Sequence, residues 1–301
     1  MPEPALHLDG LVAVVTGAGA GLGRAEAVAL AAAGANVVVN DLNDGDGVLD
    51  EIEAAGGKAI LVPGDVAERA TADAICKTAL EHFGGLHIVV NNAGFTRDRM
   101  LFNMSDQEWD DVIRVHLRGH FLLARNAAAH WRETAKANGA PGYGRLINTS
   151  SEAGLSGSEG QPNYAAAKSG IAALTMSAAR SLARYGVTAN AICPRARTAM
   201  TSGVFGEAPA GVLDPLSVEH VAPLVTYLAS PAAAAINGQV FVVYGGMVAL
   251  MAAPTVERRF DTAGPTWTAT ELADTVGSYF ADRDPNQTFA CTEVLNLSVE
   301  R

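Results

Sequence analysis

Short runs of apolar and β-branched residues recur along the chain, each followed by a longer stretch in which apolar positions return at helical spacing. The run at residues 11–16 holds apolar side chains at five successive positions. Such continuity is typical of a strand buried on both faces of a parallel sheet. Comparable runs lie at residues 36–40, 59–62, 86–90, 145–150, 187–192 and 239–243. The pattern therefore predicts seven strands.

Helical patterns fill the intervals between these runs. The spacing predicts helices at residues 24–33, 68–83, 105–136 and 162–185. Ser105 is followed three residues later by Glu108, which is the arrangement of a capping box, and Pro162 suits a first helical turn. Strands that alternate with helices in this way predict an α/β fold, with one doubly wound parallel sheet and helices on both faces. We expect a single domain over residues 1–250 and a C-terminal extension over residues 251–301.

A glycine-rich turn joins the first predicted strand to the first predicted helix. Gly17, Gly21 and Gly23 follow the strand directly, and the second strand ends at Asp41. Glycines let the backbone approach a pyrophosphate, and a helix N-terminus offers amides and the positive end of a dipole. A strand, turn, helix and strand ending in an acid form the dinucleotide-binding βαβ unit. The sequence therefore predicts a Rossmann-type domain.

The acid that closes the second strand selects between cofactors. The Asp41 carboxylate is placed to accept hydrogen bonds from ribose hydroxyls and would repel a 2′-phosphate. Arg24 is the one cation near the turn in sequence, and a solvent-facing position suits it equally well. The sequence favours NAD over NADP.

Composition and charge exclude several other classes of function. Hydrophobic residues make up 49% of the 301 positions and charged residues 18%, an ordinary core-forming composition. The net charge of −11, without a basic stripe, argues against a nucleic-acid partner. The absence of a signal-peptide pattern and of an apolar run of membrane-spanning length argues against a membrane partner. Three widely spaced cysteines suit a reduced, cytoplasmic protein better than a disulfide framework or a metal site.

Tyr164 and Lys168 stand four residues apart in the predicted helix that Pro162 opens. This spacing places both side chains on one helix face, one turn apart. An ammonium near a phenol favours the phenolate, which lowers the tyrosine pKa from about 10 and makes a general acid or base. The spacing alone is equally compatible with a solvated helix face, so the neighbouring motifs decide.

Together these motifs resemble the short-chain dehydrogenase/reductase family over about residues 8–250. The matching pieces follow one another in the family's order: Thr16, Gly17, Gly21 and Gly23, then Asp65 and Val66, residues 91–94, Ser151, and Tyr164 with Lys168. The resemblance implies that Tyr164 exchanges a proton with the substrate oxygen and that Ser151 hydrogen-bonds this oxygen. It further implies that Lys168 lowers the pKa of Tyr164 and holds the nicotinamide ribose hydroxyls.

The resemblance also implies a set of cofactor-binding residues. In chain order they are Gly17, Gly21, Leu22, Gly23, Asp41, Leu42, Asp65, Val66, Asn92, Ala93, Gly94, Tyr164, Lys168, Pro194 and Thr198. The glycines would form the pyrophosphate turn, and Asp65 with Val66 would contact adenine. Asn91 is expected to brace the sheet instead.

Two positions depart from the family's pattern. His116 stands where most members have an Asn that helps to link the active-site lysine to solvent. Either its backbone carbonyl keeps this role, or its imidazole joins the proton relay as a catalytic residue. Arg195 replaces a glycine in the turn at residues 193–198, which leaves the shape of that turn open. Thr198 is the candidate for the carboxamide contact.

Within the family, the chain most resembles the (3R)-hydroxyacyl-CoA dehydrogenase module of peroxisomal bifunctional enzymes and its bacterial relatives. Residues 38–42, 115–119 and 222–225 and the long tail carry this resemblance. It implies NAD-dependent interconversion of a secondary alcohol and a ketone, on a 3-hydroxyacyl-CoA or a hydroxysteroid-like substrate. A β-ketoacyl reductase is the alternative. A catalytically silent NAD-binding sensor is a third reading, and the complete Ser151, Tyr164 and Lys168 set argues against it.

The substrate-binding elements are predicted less sharply. The segment after Thr198 mixes apolar residues with glycine and proline, as a mobile lid would, although an ordinary surface loop has the same composition. Either Arg97 with Arg99 or Arg195 with Arg197 could hold the phosphates of CoA, or all four could be solvated.

The tail carries a predicted helix at residues 268–280 with an apolar stripe. The stripe consists of Trp267, Leu272, Val276 and Phe280. We expect it to lie at a subunit interface or beside the substrate entrance. The resemblance further implies a homo-oligomer, a tetramer or dimer, built partly on the helices predicted at residues 105–136 and 162–185.

Overall fold

One mixed sheet organises the chain. The computed structural model describes residues 6–43, 45, 47–201, 205–285 and 287–297. The strands are β1 (Val12–Thr16), β2 (Asn36–Asp41), β3 (Lys58–Pro63), β4 (Ile88–Asn91), β5 (Gly144–Thr149), β6 (Val187–Pro194), β7 (Val240–Tyr244) and β8 (Met247–Leu250). Their order in the sheet is β3-β2-β1-β4-β5-β6-β7-β8. The predicted doubly wound α/β fold is confirmed.

The strand count exceeds the prediction by one. The seven predicted strands form a parallel sheet, and β8 pairs antiparallel with β7 at its edge. Gly245 and Gly246 connect these two strands with positive φ angles of 54° and 84°, which is the backbone of a two-residue hairpin turn. The sequence prediction of seven parallel strands missed this short hairpin.

Helices cover both faces of the sheet. The helices of the described chain are α1 (Gly21–Ala32), α2 (Val48–Ala54), α3 (Arg69–Phe83), α4 (Asp106–Ile113), α5 (Gly119–Asn138), α6 (Glu152–Ser156), α7 (Pro162–Leu182) and α8 (Ala222–Ala229), and then α9 (Ala269–Leu272) and α10 (Ser278–Ala281) in the C-terminal extension. A π-helical turn, Arg114–Arg118, joins α4 to α5, so the helix predicted at residues 105–136 is divided in two. The predicted capping box is present, since Ser105 accepts from the Glu108 amide and Glu108 accepts from the Ser105 amide.

The continuous apolar runs explain the two-faced core. Side chains alternate across a strand, so Ala13 and Val15 of β1 join the core beneath α1 and α8, whereas Val12 and Val14 join the core beneath α3, α5 and α7. All four β1 side chains are fully buried. A polar residue at any of these positions would lie in one core or the other.

The C-terminal extension lies largely on the surface and then returns to the domain. Its helical part begins at Thr268, whose side chain and that of Glu271 form a second capping box. Leu272 and Phe280 of the predicted apolar stripe are 41% and 54% exposed. Farther on, Val294 is buried against the end of the sheet. The extension therefore contacts the domain chiefly through its last described residues.

Candidate active site

The site lies where the carboxyl ends of the parallel strands meet. The glycine turn follows β1, Asn92 follows β4, and Ser151 follows β5. Because β1 pairs with β2 on one side and β4 on the other, the chain crosses in opposite directions on either side of this point. Such a switch point opens a crevice at the sheet edge. The predicted cofactor and catalytic residues converge there.

The glycine turn is packed too closely for side chains. A Cβ at Gly17 would lie 2.8 Å from the Cα of Ala93, and one at Gly23 would lie 2.2 Å from the Gly17 carbonyl oxygen. Gly21 has a φ of 55°, in the left-handed region that favours glycine. The turn leads directly into the N-terminus of α1. This arrangement fits a pyrophosphate group.

Asn92 and Thr16 hold the turn against the neighbouring strand end. The Thr16 hydroxyl accepts from the amides of Asn92 and Ala93 at 3.0 and 3.1 Å, and the Asn92 side chain donates to the Thr16 carbonyl at 3.1 Å. Asn91 is buried and donates to the Asn148 side chain at 3.0 Å, as expected of a residue that braces the sheet. Asn92 thus shapes the cofactor turn from behind.

The Asp41 carboxylate lies directly over the glycine turn. One oxygen accepts from the Gly19 amide at 2.9 Å and the other from the Leu42 amide at 2.7 Å. These amide contacts fix the carboxylate where an adenosine ribose would approach the turn. Leu42 itself is 69% exposed. The residues around the turn therefore fit a dinucleotide, with an acid at the ribose position.

Asp65 and Val66 lie beside the same crevice. One Asp65 oxygen accepts from the Ala67 amide at 2.8 Å, and the other pairs with Arg114 at 2.7 Å. Val66 faces Gly119, where a Cβ would lie 2.9 Å from a Val66 methyl group. Both residues are thereby fixed in position beside the predicted adenine site.

Ser151, Tyr164 and Lys168 form the candidate catalytic group. Tyr164 and Lys168 lie on the first turns of α7, with the Lys168 ammonium 5.3 Å from the centre of the Tyr164 ring. Lys168 is fully buried and donates to the Thr149 carbonyl at 2.6 Å. Ser151 is the N-cap of α6, and its hydroxyl also interacts with that of Tyr164. The structure brings together all three residues that the resemblance selected.

The protein groups around Tyr164 do not lower its pKa. Burial raises the pKa of Tyr164 to about 12, and the hydrogen bond with Ser151 opposes this only in part. Burial also lowers the pKa of Lys168 to about 7, so this lysine is only partly charged near neutrality. The predicted lowering of the Tyr164 pKa by Lys168 is therefore not found among the protein's own groups.

The His116 ring packs against Tyr164. It occupies the space that a side chain at Gly94 would need. A Cβ at Gly94 would lie 2.0 Å from His116 Cε1. The His116 Nε2 lies 3.0 Å from the Phe95 amide nitrogen and 2.7 Å from the Phe95 carbonyl oxygen, and its tautomer decides which of these bonds forms. Burial, with Lys168 nearby, lowers the pKa of His116 to about 3. The imidazole is neutral at working pH, which disfavours a charged relay and favours a positioning role.

Two residues near the site escaped the sequence analysis. Asn163 is fully buried; it donates to the carbonyls of Arg97 and Glu108 at 3.0 and 2.9 Å and accepts from the Tyr164 amide at 2.7 Å. It therefore fixes the start of α7, and its place beside Tyr164 was the only sequence signal. His120 lies one turn beyond His116, and burial holds its pKa well below the usual value. No sequence pattern marked it.

The turn after β6 places Thr198 beside the glycine turn, and the two arginines of the same turn, Arg195 and Arg197, both form ion pairs within the protein. A Cβ at Gly21 would lie 3.3 Å from a Thr198 methyl group. Arg195 pairs with Glu152, and Arg197 pairs with Asp214 at 2.7 Å. Because both guanidiniums are engaged within the protein, these pairings disfavour the alternative that Arg195 and Arg197 bind CoA phosphates. Pro194 ends β6 beside this turn, and positions 202–204 of the predicted lid lie outside the described residues.

The fold and site together define a nicotinamide-dependent oxidoreductase of the Rossmann type. The family model for short chain dehydrogenases matches residues 11–207. The chain therefore belongs to the short-chain dehydrogenase family.

Individual relatives match well beyond this segment. The chain is 63% identical over 299 residues to the hydroxyacyl-CoA dehydrogenase ChsB1 of Mycobacterium tuberculosis, which covers 96% of this chain and 94% of that protein. It is 41% identical over 254 residues to the mouse peroxisomal multifunctional enzyme type 2, covering 81% of this chain and 33% of the mouse protein. A crystal structure of a short chain dehydrogenase from Mycobacterium avium superposes with a TM-score of 0.84 at 45% identity and covers 94% of this chain and 99% of that one.

Within the described part of the chain, no helix is long and apolar enough to cross a bilayer.

Proposed function

We propose that this protein is an NAD-dependent dehydrogenase that interconverts the secondary alcohol of a 3-hydroxyacyl-CoA with its ketone. One observation carries the proposal: Ser151, Tyr164 and Lys168 lie together beside a glycine turn, in a chain similar along nearly its whole length to a hydroxyacyl-CoA dehydrogenase. A hydroxysteroid-like alcohol is the second candidate substrate that the resemblance implies.

Each catalytic residue has a role that follows from its position. In alcohol oxidation the deprotonated Tyr164 oxygen accepts the proton of the substrate alcohol, and Ser151, which hydrogen-bonds the Tyr164 side chain, orients the substrate oxygen. The chemistry that a bound nicotinamide would supply is acceptance of the hydride from the alcohol carbon. Lys168 lies beneath Tyr164, where its side-chain nitrogen donates to the Thr149 carbonyl at 2.6 Å and would also hold the nicotinamide ribose hydroxyls. Burial of this group keeps its electrostatic interactions strong.

The preference for NAD rests on Asp41. Its carboxylate is held by two amides over the glycine turn, and a 2′-phosphate there would meet its negative charge. Arg24, the cation nearest in sequence, forms an ion pair with Glu51 of α2 at 2.7 Å.

The substrate's CoA phosphates are assigned to Arg97. With Arg195 and Arg197 paired internally and Arg99 paired with Glu108 at 3.0 Å, Arg97 is the remaining member of the four arginines considered. It is exposed and stacks 4.6 Å above the Phe95 ring. No carboxylate lies within ion-pair distance of it among the described residues. One guanidinium nitrogen donates to the Thr96 carbonyl at 3.0 Å, and the remaining donors of this exposed group are placed to bind an anionic thioester.

Oligomer formation and the role of the extension are part of the same proposal. Phe121 on α5 and Met176 on α7 are 42% and 44% exposed, on the helices through which we expect subunits to associate. The exposed apolar stripe of the extension would be covered in the same assembly. Cytoplasmic localisation stays a prediction.

The decisive experiment follows NADH absorbance with a panel of 3-hydroxyacyl-CoAs, a hydroxysteroid and a β-ketoacyl thioester in the reverse direction. Wild type should turn over the hydroxyacyl-CoAs with NAD, and Tyr164→Phe should lose at least about a hundredfold in kcat, because it lacks the proton-accepting group. Turnover of the ketoacyl thioester with NADPH alone would favour the reductase. An absence of turnover across the panel, with NAD binding retained, would favour the sensor.

A further inference from the structure

The last described part of the chain, residues 291–297, returns to the domain and lies against the catalytic end of the sheet. We call it the return segment. Val294 within it is only 2% exposed and packs with Cys193 of β6 and Tyr244 of β7. The Cys291 amide donates to the Leu155 carbonyl of α6 at 2.9 Å. The return segment therefore touches the short helix that Ser151 caps.

The guanidinium of Arg195 connects the return segment to α6 by hydrogen bonds to both. Its Nε and Nη2 donate to the two carboxylate oxygens of Glu152 at 2.5 and 2.8 Å. The same group donates to the carbonyls of Val294 and Leu297 at 2.5 and 3.2 Å, and it stacks 4.5 Å above the Tyr244 ring. A bidentate pair with additional carbonyl acceptors uses a planar fork that lysine cannot reproduce.

The pair is shielded from solvent. The side chains of Arg195 and Glu152 are 17% and 13% exposed, so salt screens their interaction only weakly. Removing one partner leaves the other charge partly buried and uncompensated. The unexpected arginine in the turn after β6 is thus accounted for by a contact 99 residues farther along the chain.

The contact bears on the reaction because Glu152 directly follows Ser151. Ser151 accepts from the Ala153 amide as the cap of α6 and also meets the Tyr164 hydroxyl. A shift of α6 therefore moves the hydroxyl that orients the substrate oxygen. On its other side, the return segment shares an apolar cluster with Leu216, which lies within the predicted lid. Its residues thus connect Ser151's helix to the lid.

We propose that the return segment is part of the substrate-site wall and that Arg195 is a positioning residue, which fixes α6 and the Ser151 hydroxyl through Glu152. The proposal rests on the proposed function for its reaction but not for the identity of the substrate. It assigns a specificity-determining role to the return segment.

The test compares Arg195→Gln and Glu152→Gln, alone and together, with Arg197→Gln as the matched control. Arg197 sits two positions away and has a similarly buried carboxylate partner, with 20% and 15% exposure for the pair, but it makes no contact with the return segment among the described bonds. The assays measure kcat and KM on a series of acyl lengths, together with the NAD dissociation constant, which reports on the intact fold.

We expect Arg195→Gln to lower kcat/KM by about ten- to a hundredfold, since small displacements of positioned groups have effects of this size. The NAD dissociation constant should change less than about twofold, and the double variant should lose no more than the worse single variant, because both act through one contact. Arg195→Lys should recover only part of the loss. Additive losses, or a loss no larger than that of Arg197→Gln, would overturn the proposal.

Two further readouts separate this inference from the proposed function. If wild type oxidises a different alcohol, the same ratios are measured on that substrate, so the wall proposal is tested even where the hydroxyacyl-CoA assignment fails. Should Arg195→Gln unfold, Val294→Ala tests the wall without disturbing a charge. It should alter the preference for acyl length, and an unchanged preference would count against the return segment as a wall.

Discussion

The imidazole of His116 stands edge-on to the ring of Tyr164, with the ring centres 5.2 Å apart and the planes at 90°. Lys168 approaches the same tyrosine ring, with its ammonium 5.3 Å from the ring centre. The acid/base candidate is therefore held between a neutral imidazole and a partly charged ammonium. Because His116 also bonds the backbone that follows Gly94, it couples the cofactor-lining strand end to the catalytic ring.

Replacing His116 should separate positioning from proton transfer. With a pKa near 3, His116 adds no ionisation to the working range, so we expect His116→Gln to lower kcat modestly, by up to about tenfold, without changing the shape of the pH–rate profile. His116→Leu, which cannot bond Phe95, should lose more. Loss of a limb from the pH profile of either variant would identify the imidazole as a proton carrier.

Most of the fold was predictable from the sequence, because the patterns that indicate strands, helices and the glycine turn are local and recur along the chain. The apolar run of β1, the glycine turn and Asp41 each indicate the local backbone structure at their own positions. Parallel strands then bring their carboxyl ends together at one edge of the sheet. The pKa of Tyr164 was not predictable in this way, because desolvation depends on how many groups surround the ring. The same holds for Arg195, whose partners Glu152 and Val294 lie far along the chain in opposite directions.

Asp41→Ala should relax the choice of cofactor. The variant removes the carboxylate that we assign to the ribose hydroxyls, so NAD binding should weaken by about ten- to a hundredfold, as expected for loss of hydrogen bonds to a charged group. NADP binding should change little or improve, because the repulsion of its 2′-phosphate is gone. Titration of both nucleotides by protein fluorescence measures the two effects. Tighter NADP than NAD binding by wild type would contradict the assignment of Asp41.

Arg97→Gln should affect only substrates that carry phosphates. We expect KM for a 3-hydroxyacyl-CoA to rise by about tenfold, the scale of one lost charge-assisted hydrogen bond, while KM for the corresponding pantetheine thioester stays unchanged. Arg99→Gln is the matched control, since Arg99 is two residues away and already paired with Glu108. Equal losses on both thioesters would show that Arg97 supports the loop and does not bind phosphate.

Glu26 on α1 should set a limit on stability at alkaline pH. It is fully buried, and neither carboxyl oxygen has a hydrogen-bond partner among the described residues. Burial raises its pKa from 4.5 to about 8. The unfolded chain ionises this group above pH 4.5 and the folded chain only near pH 8, so the fold loses stability as pH rises through this window, and the loss is complete above it.

Glu26→Gln removes this ionisation and should therefore stabilise the protein in a pH-dependent way. The gain in the free energy of unfolding should be near zero at about pH 4.5 and grow to roughly 5 kcal/mol by about pH 9, since each unit of pKa difference corresponds to about 1.4 kcal/mol. Denaturant titrations at both pH values measure it, with Glu53→Gln on the exposed face of α2 as the control. A gain that is the same at both pH values would mean that Glu26 is hydrogen-bonded or hydrated in the fold, and that its burial has no electrostatic consequence.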